Sequence, residues 1–239
     1  MAHVTLGMLL APRRVRGSEF FDDPGRDDAL AQRSLADIAR TNRWFGGTSA
    51  VIAELRPFLA AAAVHTRRLT LLDVGTGAGD IPQCARAVAA EVGVSMSTIG
   101  LEITPALAAA SAARAGLAVA GDARAIPLAD HSVDIVTCSQ VLHHFDDAAA
   151  QRVIGELHRV ARMGVIIAEI RRCWAAAGGV WLASWMLGFH PVSRHDGVTS
   201  VLRGFRASEL GGAVKVTIGR APVARDRRGF RVTASWRVM

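Results

Sequence analysis

Residues 71–80 read Leu-Leu-Asp-Val-Gly-Thr-Gly-Ala-Gly-Asp, and no other segment carries as much chemical information. An apolar run ends in Asp73 and passes through Gly75, Thr76, Gly77 and Gly79 before a helical pattern begins. Glycine belongs where backbone bends sharply or comes close to a ligand with no Cβ in the way. The free N–H groups and positive dipole end of the following helix suit a carboxylate or phosphate. Three further groups recur at the same phase. Glu102 ends the next apolar run, with Ile103 after it, and its two acceptor oxygens suit a ribose diol. Asp122, followed by Ala123, is suited to accept from an adenine amino group, and Ser139 and Gln140 open the segment that runs to Phe145. One glycine turn is weak evidence of a site; four strand ends bearing ligand-type groups predict a nucleotide-like ligand at the carboxyl rim of a parallel sheet.

The elements needed to gather these groups can be read from periodicity. Apolar runs at Leu69–Val74, Ser97–Glu102, Leu117–Ala120, Val133–Ser139 and Gly164–Ile170 alternate with helical stretches at Pro82–Val92, Pro105–Ala115 and Ala148–Arg162. Alternation at that interval predicts βαβ units and a parallel sheet covered on both faces. Val214–Gly219 and Phe230–Trp236, joined by the polar stretch Arg220–Gly229, read as two more strands forming an antiparallel pair at the sheet edge. Asp27–Ala62 has helical spacing broken at Gly46 and Gly47, which predicts two helices ahead of the sheet. The expected organisation is an N-terminal helical extension over residues 1–62 and an α/β domain over 63–239, with a cap at about 172–212.

Composition narrows the class. The chain has 239 residues, 51% hydrophobic and 21% charged, enough for one domain with a sizeable core. Cys84, Cys138 and Cys173 are far apart and odd in number, so they form neither a disulfide framework nor a CxxC metal pair. Met1 to Leu10 carries no cation ahead of its short apolar stretch, so no signal peptide is expected; with the cysteine usage this points to the cytoplasm. The net charge of +7 comes almost wholly from arginine, Lys215 being the one lysine. The arginines are dispersed, with no basic run interleaved with aromatics, which speaks for a solvated surface and against nucleic-acid binding.

On the residues Asp73, Gly75, Gly77, Gly79, Glu102, Asp122, Ala123 and Ser139–Phe145, the segment Leu69–Ile170 resembles the class I S-adenosylmethionine-dependent methyltransferases. The likeness is to the small-molecule group that includes the ubiquinone and menaquinone biosynthesis enzymes. It implies a Rossmann-like, seven-stranded sheet whose last strand is antiparallel, a glycine loop for the methionine part of S-adenosylmethionine, Glu102 for the ribose and Asp122 for the adenine. The Pro-Gly-Gly turn frequent before the family's fifth strand is here only Arg162-Met163-Gly164. A dinucleotide fingerprint fits worse. It needs its third glycine three residues after the second, whereas Gly77 and Gly79 are separated by one residue and are followed by Asp80, which would repel a pyrophosphate. The alternatives are an NAD(P)-dependent oxidoreductase, a nucleic-acid methyltransferase and a non-catalytic binding protein on the same fold.

Methyl transfer from a sulfonium asks the protein to align the partners and, for a hydroxyl, to remove a proton. The histidines are the candidate bases. His195, in Ser193–Gly197, is placed first and His144 second, with His143 beside it as an acceptor contact. Arg194 could hold an acidic or phenolate oxygen, while Trp44 and Trp185 could wall the acceptor. Cys173–Phe189 is almost entirely apolar but falls short of a bilayer span; it is expected to cap the site with Trp181, Trp185, Met186 and Phe189 inward. The expected acceptor is a small aromatic or polyketide-like hydroxyl, with oxygen favoured over carbon. No metal-ligand spacing is present among the candidates.

Overall fold

A computed structural model describes residues 11–23, 28–65 and 68–238 of the chain. The segment Met1–Leu10 lies outside the described residues. Seven strands form one sheet in the order β3-β2-β1-β4-β5-β7-β6: β1 (Arg68–Val74), β2 (Ser95–Glu102), β3 (Leu117–Ala120), β4 (Val133–Ser139), β5 (Ala161–Ile170), β6 (Val223–Arg227) and β7 (Arg231–Arg237). The first five are parallel, and β7 runs against both β5 and β6. This is the mostly parallel, doubly covered sheet with an antiparallel edge pair that the alternation predicts.

Among the described residues, eight α-helices accompany the sheet: α1 (Asp28–Trp44), α2 (Gly47–His65), α3 (Asp80–Glu91), α4 (Pro105–Ala115), α5 (Asp147–Val160), α6 (Trp174–Met186), α7 (Pro191–Arg203) and α8 (Ala207–Ile218). The period of two along each strand divides the core. Leu71, Ile135 and Ile166 face α2 and α3, where Val51, Leu55, Leu59, Ile81 and Ala85 meet them. Leu72, Val136, Val165 and Ile167 face α5 and α8, where Val153, Ile154, Leu157, Leu210 and Val214 close the other side. Among the described residues one stretch, Gly47–Val64 in α2, is long and apolar enough to cross a membrane, and half of it is buried on the sheet.

One sequence expectation needs correction. Val214–Gly219 is the end of α8, not a strand. Its β-branched content favours a strand locally, but Leu210 and Val214, four residues apart, are both fully buried while Val216 is exposed. Gly219, left-handed at φ 79°, closes the helix. The sixth strand instead lies within the polar stretch, at Val223–Arg227. Among the described residues it pairs only with β7, and Arg225, Asp226 and Arg227 give that open edge the charge that discourages further pairing. Within the expected cap, residues 191–203 form helix α7.

Glu54 ties α2 to the edge pair. Its carboxylate is buried and accepts from Thr233 Oγ1 (2.7 Å), Ser235 Oγ (2.8 Å) and Arg227 Nη2 (2.5 Å). Burial pushes its pKa up, but the hydrogen bonds from Thr233, Arg227 and Ser235 outweigh that and hold it below the ordinary carboxylate range. A depressed folded pKa contributes stability above the unfolded value and loses it as the pH falls through the folded one. Glu54→Ala is therefore expected to cost about 3 kcal/mol in urea unfolding at pH 7, because it strands two buried hydroxyls and a guanidinium. The difference from the native protein should shrink in acid.

Candidate functional site

The carboxyl ends of β1 to β4 open into a cavity of about 510 Å³, within the usual range for small-molecule sites. Gly75, Thr76, Gly77, Glu102, Ile103, Asp122, Ala123, Ser139 and Gln140 all line it. The loop after β1 is pinned to β2 by the Gly75 and Thr76 N–H groups, which donate to Leu101 O at 2.9 and 3.2 Å. Gly77 N–H donates to Glu102 Oε1 at 2.5 Å, so the ribose-type carboxylate also sets the loop. Gly75 and Gly79 cannot be replaced freely. Both have positive φ (68° and 73°), and a Cβ would lie 2.3 Å from Val141 Cγ2 at Gly75 and 2.8 Å from Arg114 Cβ at Gly79.

Asp73 and Gly79 do not reach the cavity surface. Asp73 is 1% exposed beneath the loop, where Thr137 Oγ1 donates to it at 2.6 Å. Burial pushes its pKa up to about 7, against the lowering effect of the Thr137 hydroxyl. Asp122 is gripped by Arg124, whose Nη2 lies 2.6 Å from Oδ2; that contact, before any other, holds its pKa low. Of the buried polar side-chain atoms left without a hydrogen-bond partner among the described residues, three belong to this floor: Asp73 Oδ2, Thr76 Oγ1 and Ser139 Oγ. Buried polar atoms are rarely left unmatched, and these three cluster under one cavity. That donor and acceptor set fits a ligand bearing an amino group, a carboxylate and a nucleoside.

A second cavity, of about 110 Å³, lies against the first. Ile38, Gln140 and His144 line both. Helix α1 is the shared wall: Ser34, Asp37 and Thr41 face the smaller space, while Leu35, Ala39 and Asn42 face the larger. Ala176, Val180 and Phe189 give the smaller cavity its apolar side. Its polar side is a cluster that local sequence does not announce. His144 Nδ1 lies 2.8 Å from Asp22 Oδ1, and His143 Nδ1 lies 2.8 Å from Glu169 Oε2. Both Nε2 atoms face Glu19, at 4.0 and 3.8 Å. Arg203 joins the cluster with Nη1 at 2.5 Å from Asp22 and 3.3 Å from Glu19.

The charges of the cluster follow from these contacts. Burial pushes Asp22 up, but His144 and Arg203 more than offset it and keep its pKa far below the ordinary carboxylate range. Burial likewise raises Glu169, and the neighbouring His143 reverses the shift to a net lowering. Glu19 is raised, burial outweighing His144, Ser200 and Arg203. A carboxylate only accepts, so each imidazole carries hydrogen on Nδ1 and leaves Nε2 for the cavity. Glu19 and Asp22 arrive on the segment ahead of α1. That segment is fastened to α7 by Phe20 N–H to Asp196 Oδ2 (3.0 Å) and Ser200 Oγ to Glu19 Oε2 (2.6 Å).

Three expected acceptor-side residues stand elsewhere. Within α7, Ser193, Asp196, Gly197, Ser200 and Val201 face the cavity, the three- and four-residue spacing of one helix face. His195 falls off that face: its side chain is 70% exposed, with Nδ1 3.2 Å from Asp196 Oδ1. Arg194 also turns away, its guanidinium 3.9 Å from the Trp185 ring centroid and its Nε donating to Phe189 O. Trp185 is 57% exposed, and Trp181 and Met186 point outward with it. Of the four expected cap residues only Phe189 faces inward. Trp44 closes α1, but its side chain lies outside what is described.

Comparison with known proteins adds the following. Residues 72–168 match a family model described as a methyltransferase domain. An uncharacterized methyltransferase of Mycolicibacterium gilvum (strain PYR-GCK) is 30% identical over 177 residues, 70% of this chain and 60% of that protein. The chain thus spans about 60% of the length of that curated relative. Among solved structures, a TehB-like S-adenosylmethionine-dependent methyltransferase from Corynebacterium glutamicum superposes with TM-score 0.53 and 13% identity, covering 87% of this chain and 98% of that one. Magnesium protoporphyrin IX methyltransferase from Synechocystis, with bound S-adenosylhomocysteine, gives TM-score 0.52 and 14% identity over 84% and 87% of the two chains. At such identity these likenesses establish the fold alone.

Proposed function

We infer, from the premise that residues 72–168 are a methyltransferase domain of the class I S-adenosylmethionine-dependent family, that the chain transfers a methyl group to a hydroxyl of a small aromatic or polyketide-like acceptor. One observation carries the reading of the site. The cavity with strand-end carboxylates and the cavity with paired histidines adjoin, and His144, Gln140 and Ile38 line both. S-adenosylmethionine supplies the activated methyl on a sulfonium.

The chain's own residues do the rest. Glu102 would hold the ribose hydroxyls and Asp122 the adenine amino group, while Thr76, Gly77 and Ser139, over the buried Asp73, would serve the methionine end. His144 is the proposed general base, since it is the one titratable side chain at the boundary that is backed by an ionised partner. Its Nε2 takes the acceptor's hydroxyl proton as the new bond forms. Asp22 fixes the tautomer and stabilises the imidazolium that results. His143, held by Glu169, stands beside it with ring centroids 4.4 Å apart and shapes the polar wall. Ala176, Val180 and Phe189 exclude water from the apolar side.

The test is incubation with methyl-labelled S-adenosylmethionine and a panel of phenols, amines and 1,3-dicarbonyl compounds, with products identified by mass spectrometry. Methyl ethers from the phenols are expected. Label appearing only on nitrogen or carbon would overturn the hydroxyl assignment.

A further inference from the structure

The smaller cavity contains a buried cation with no ion-pair partner among the described residues. Arg231 opens β7, is 3% exposed and lines the cavity. Its Nη1 donates to Gln140 Oε1 (2.9 Å) and its Nε to Phe45 O (3.2 Å), both neutral acceptors. Among the described residues no carboxylate lies within ion-pair distance of it. The carboxylates facing the same cavity have partners of their own. Glu19 meets Arg203 at 3.3 Å, Asp37 pairs with Arg40, and Asp196 accepts from Phe20 N–H and lies against His195. Glu169, on the adjoining strand, is engaged by His143. Burial lowers the Arg231 pKa to about 10, and only the more distant charge of Glu169 opposes it.

Buried charges are normally paired, and a guanidinium is built to take a carboxylate with two parallel bonds. The backbone around Arg231 is also held in an uncommon state. Of the three described non-glycine residues with positive φ, two are its neighbours: Gln140 (φ 58°), which it touches, and Phe230 (φ 57°), which precedes it. Strain of this kind persists where the surrounding structure requires a particular placement.

We propose that Arg231 binds an anionic oxygen of the acceptor, which makes the acceptor a hydroxylated aromatic carboxylic acid rather than a neutral phenol. This rests on the reading of the smaller cavity as the acceptor's. Gln140 both touches Arg231 and lines the boundary with the larger cavity, so the carboxylate and the reacting hydroxyl belong on one ring. A cavity of about 150 Å³ accommodates benzene. The acceptor space of about 110 Å³, which shares Ile38, Gln140 and His144 with its larger neighbour, is on the scale of one ring.

The test uses the protein saturated with S-adenosylhomocysteine and two probes, 2-hydroxybenzoate and phenol, in calorimetric titration. The acid is expected to bind about 50-fold more tightly than phenol, the scale of one charge-assisted bidentate pair. Arg231→Met should abolish that preference, and Arg231→Lys should retain part of it. Unchanged S-adenosylhomocysteine affinity in both variants shows that the fold survives. Equal affinity for the two probes, no binding of the acid, or a preference that survives in Arg231→Met overturns the proposal. Product formation is scored separately. An acid that binds through Arg231 and is never methylated refutes the hydroxyl-transfer reading while leaving the anion site standing.

Discussion

Glu102→Ala is expected to weaken S-adenosylhomocysteine binding by about 10²–10³-fold in calorimetric titration while leaving a folded protein. The size follows from what the side chain does at once. As an ionised acceptor facing a ribose diol it would take two hydrogen bonds, each worth about 1.5–3 kcal/mol when the acceptor is charged. Every 1.4 kcal/mol is about tenfold in affinity. Glu102 also accepts from Gly77 N–H at 2.5 Å, so its loss loosens the loop that lies against the methionine end. Glu102→Gln separates the two contributions, because the amide oxygen can still accept from Gly77 while the charge is gone; a loss of about tenfold is expected. Asp122→Ala should cost less than Glu102→Ala, since Arg124 already engages both Asp122 oxygens. A Glu102→Ala protein that binds the cofactor as tightly as the native chain would remove Glu102 from the site.

The cavity at the strand ends was legible in the sequence because parallel strands force it together. Each apolar run points the same way, so Gly75, Glu102, Asp122 and Ser139 must meet at one rim wherever the helices lie. The smaller cavity had no such constraint. His195 and Asp196 are adjacent in sequence, and only the phase of α7 decides that the aspartate enters while the histidine stays in solvent. Helix α6 has no charged residue and only one hydroxyl, Ser184, so its composition does not distinguish an inner from an outer face. Packing turned Ala176 and Val180 inward and left Trp181 and Trp185 outside.

Glu19, Asp22, Arg203 and Arg231 were beyond sequence reasoning for a different reason. They belong to no local pattern and reach the site only because distant segments close on one another. Arg203 and Asp22 meet across 181 residues, and Arg231 and Gln140 across 91. The one available signal was a run of isolated charges flanking apolar elements, and an Arg-rich chain offers many such charges with no function. The mistaken strand at Val214–Gly219 has the same origin: β-branched residues set a local preference, and burial of Leu210 and Val214 on one helical face overrides it.

The same long-range closure makes His144 the residue whose loss should cost most in turnover. His144→Ala is expected to lower kcat by about 10²–10⁴-fold, the range for removing a positioned general base. Cofactor affinity should change little, because the groups assigned to the cofactor lie on the strand ends and not on the imidazole. Asp22→Asn tests how the base is held. The amide keeps the size of the side chain but not the charge that stabilises the imidazolium, and it leaves Arg203 without its closest carboxylate. A smaller loss in kcat is therefore expected, with KM for the acceptor nearly unchanged. His195→Ala is the control: on the exposed side of α7 it should behave as the native protein. If instead His195→Ala loses turnover and His144→Ala keeps it, the acceptor enters from the outer face of α7 and the base assignment fails. A thiophenol acceptor, ionised near neutral pH without help, offers the complementary reading. Its methylation should persist in His144→Ala while that of a phenol does not, because only the phenol needs its proton removed during the displacement.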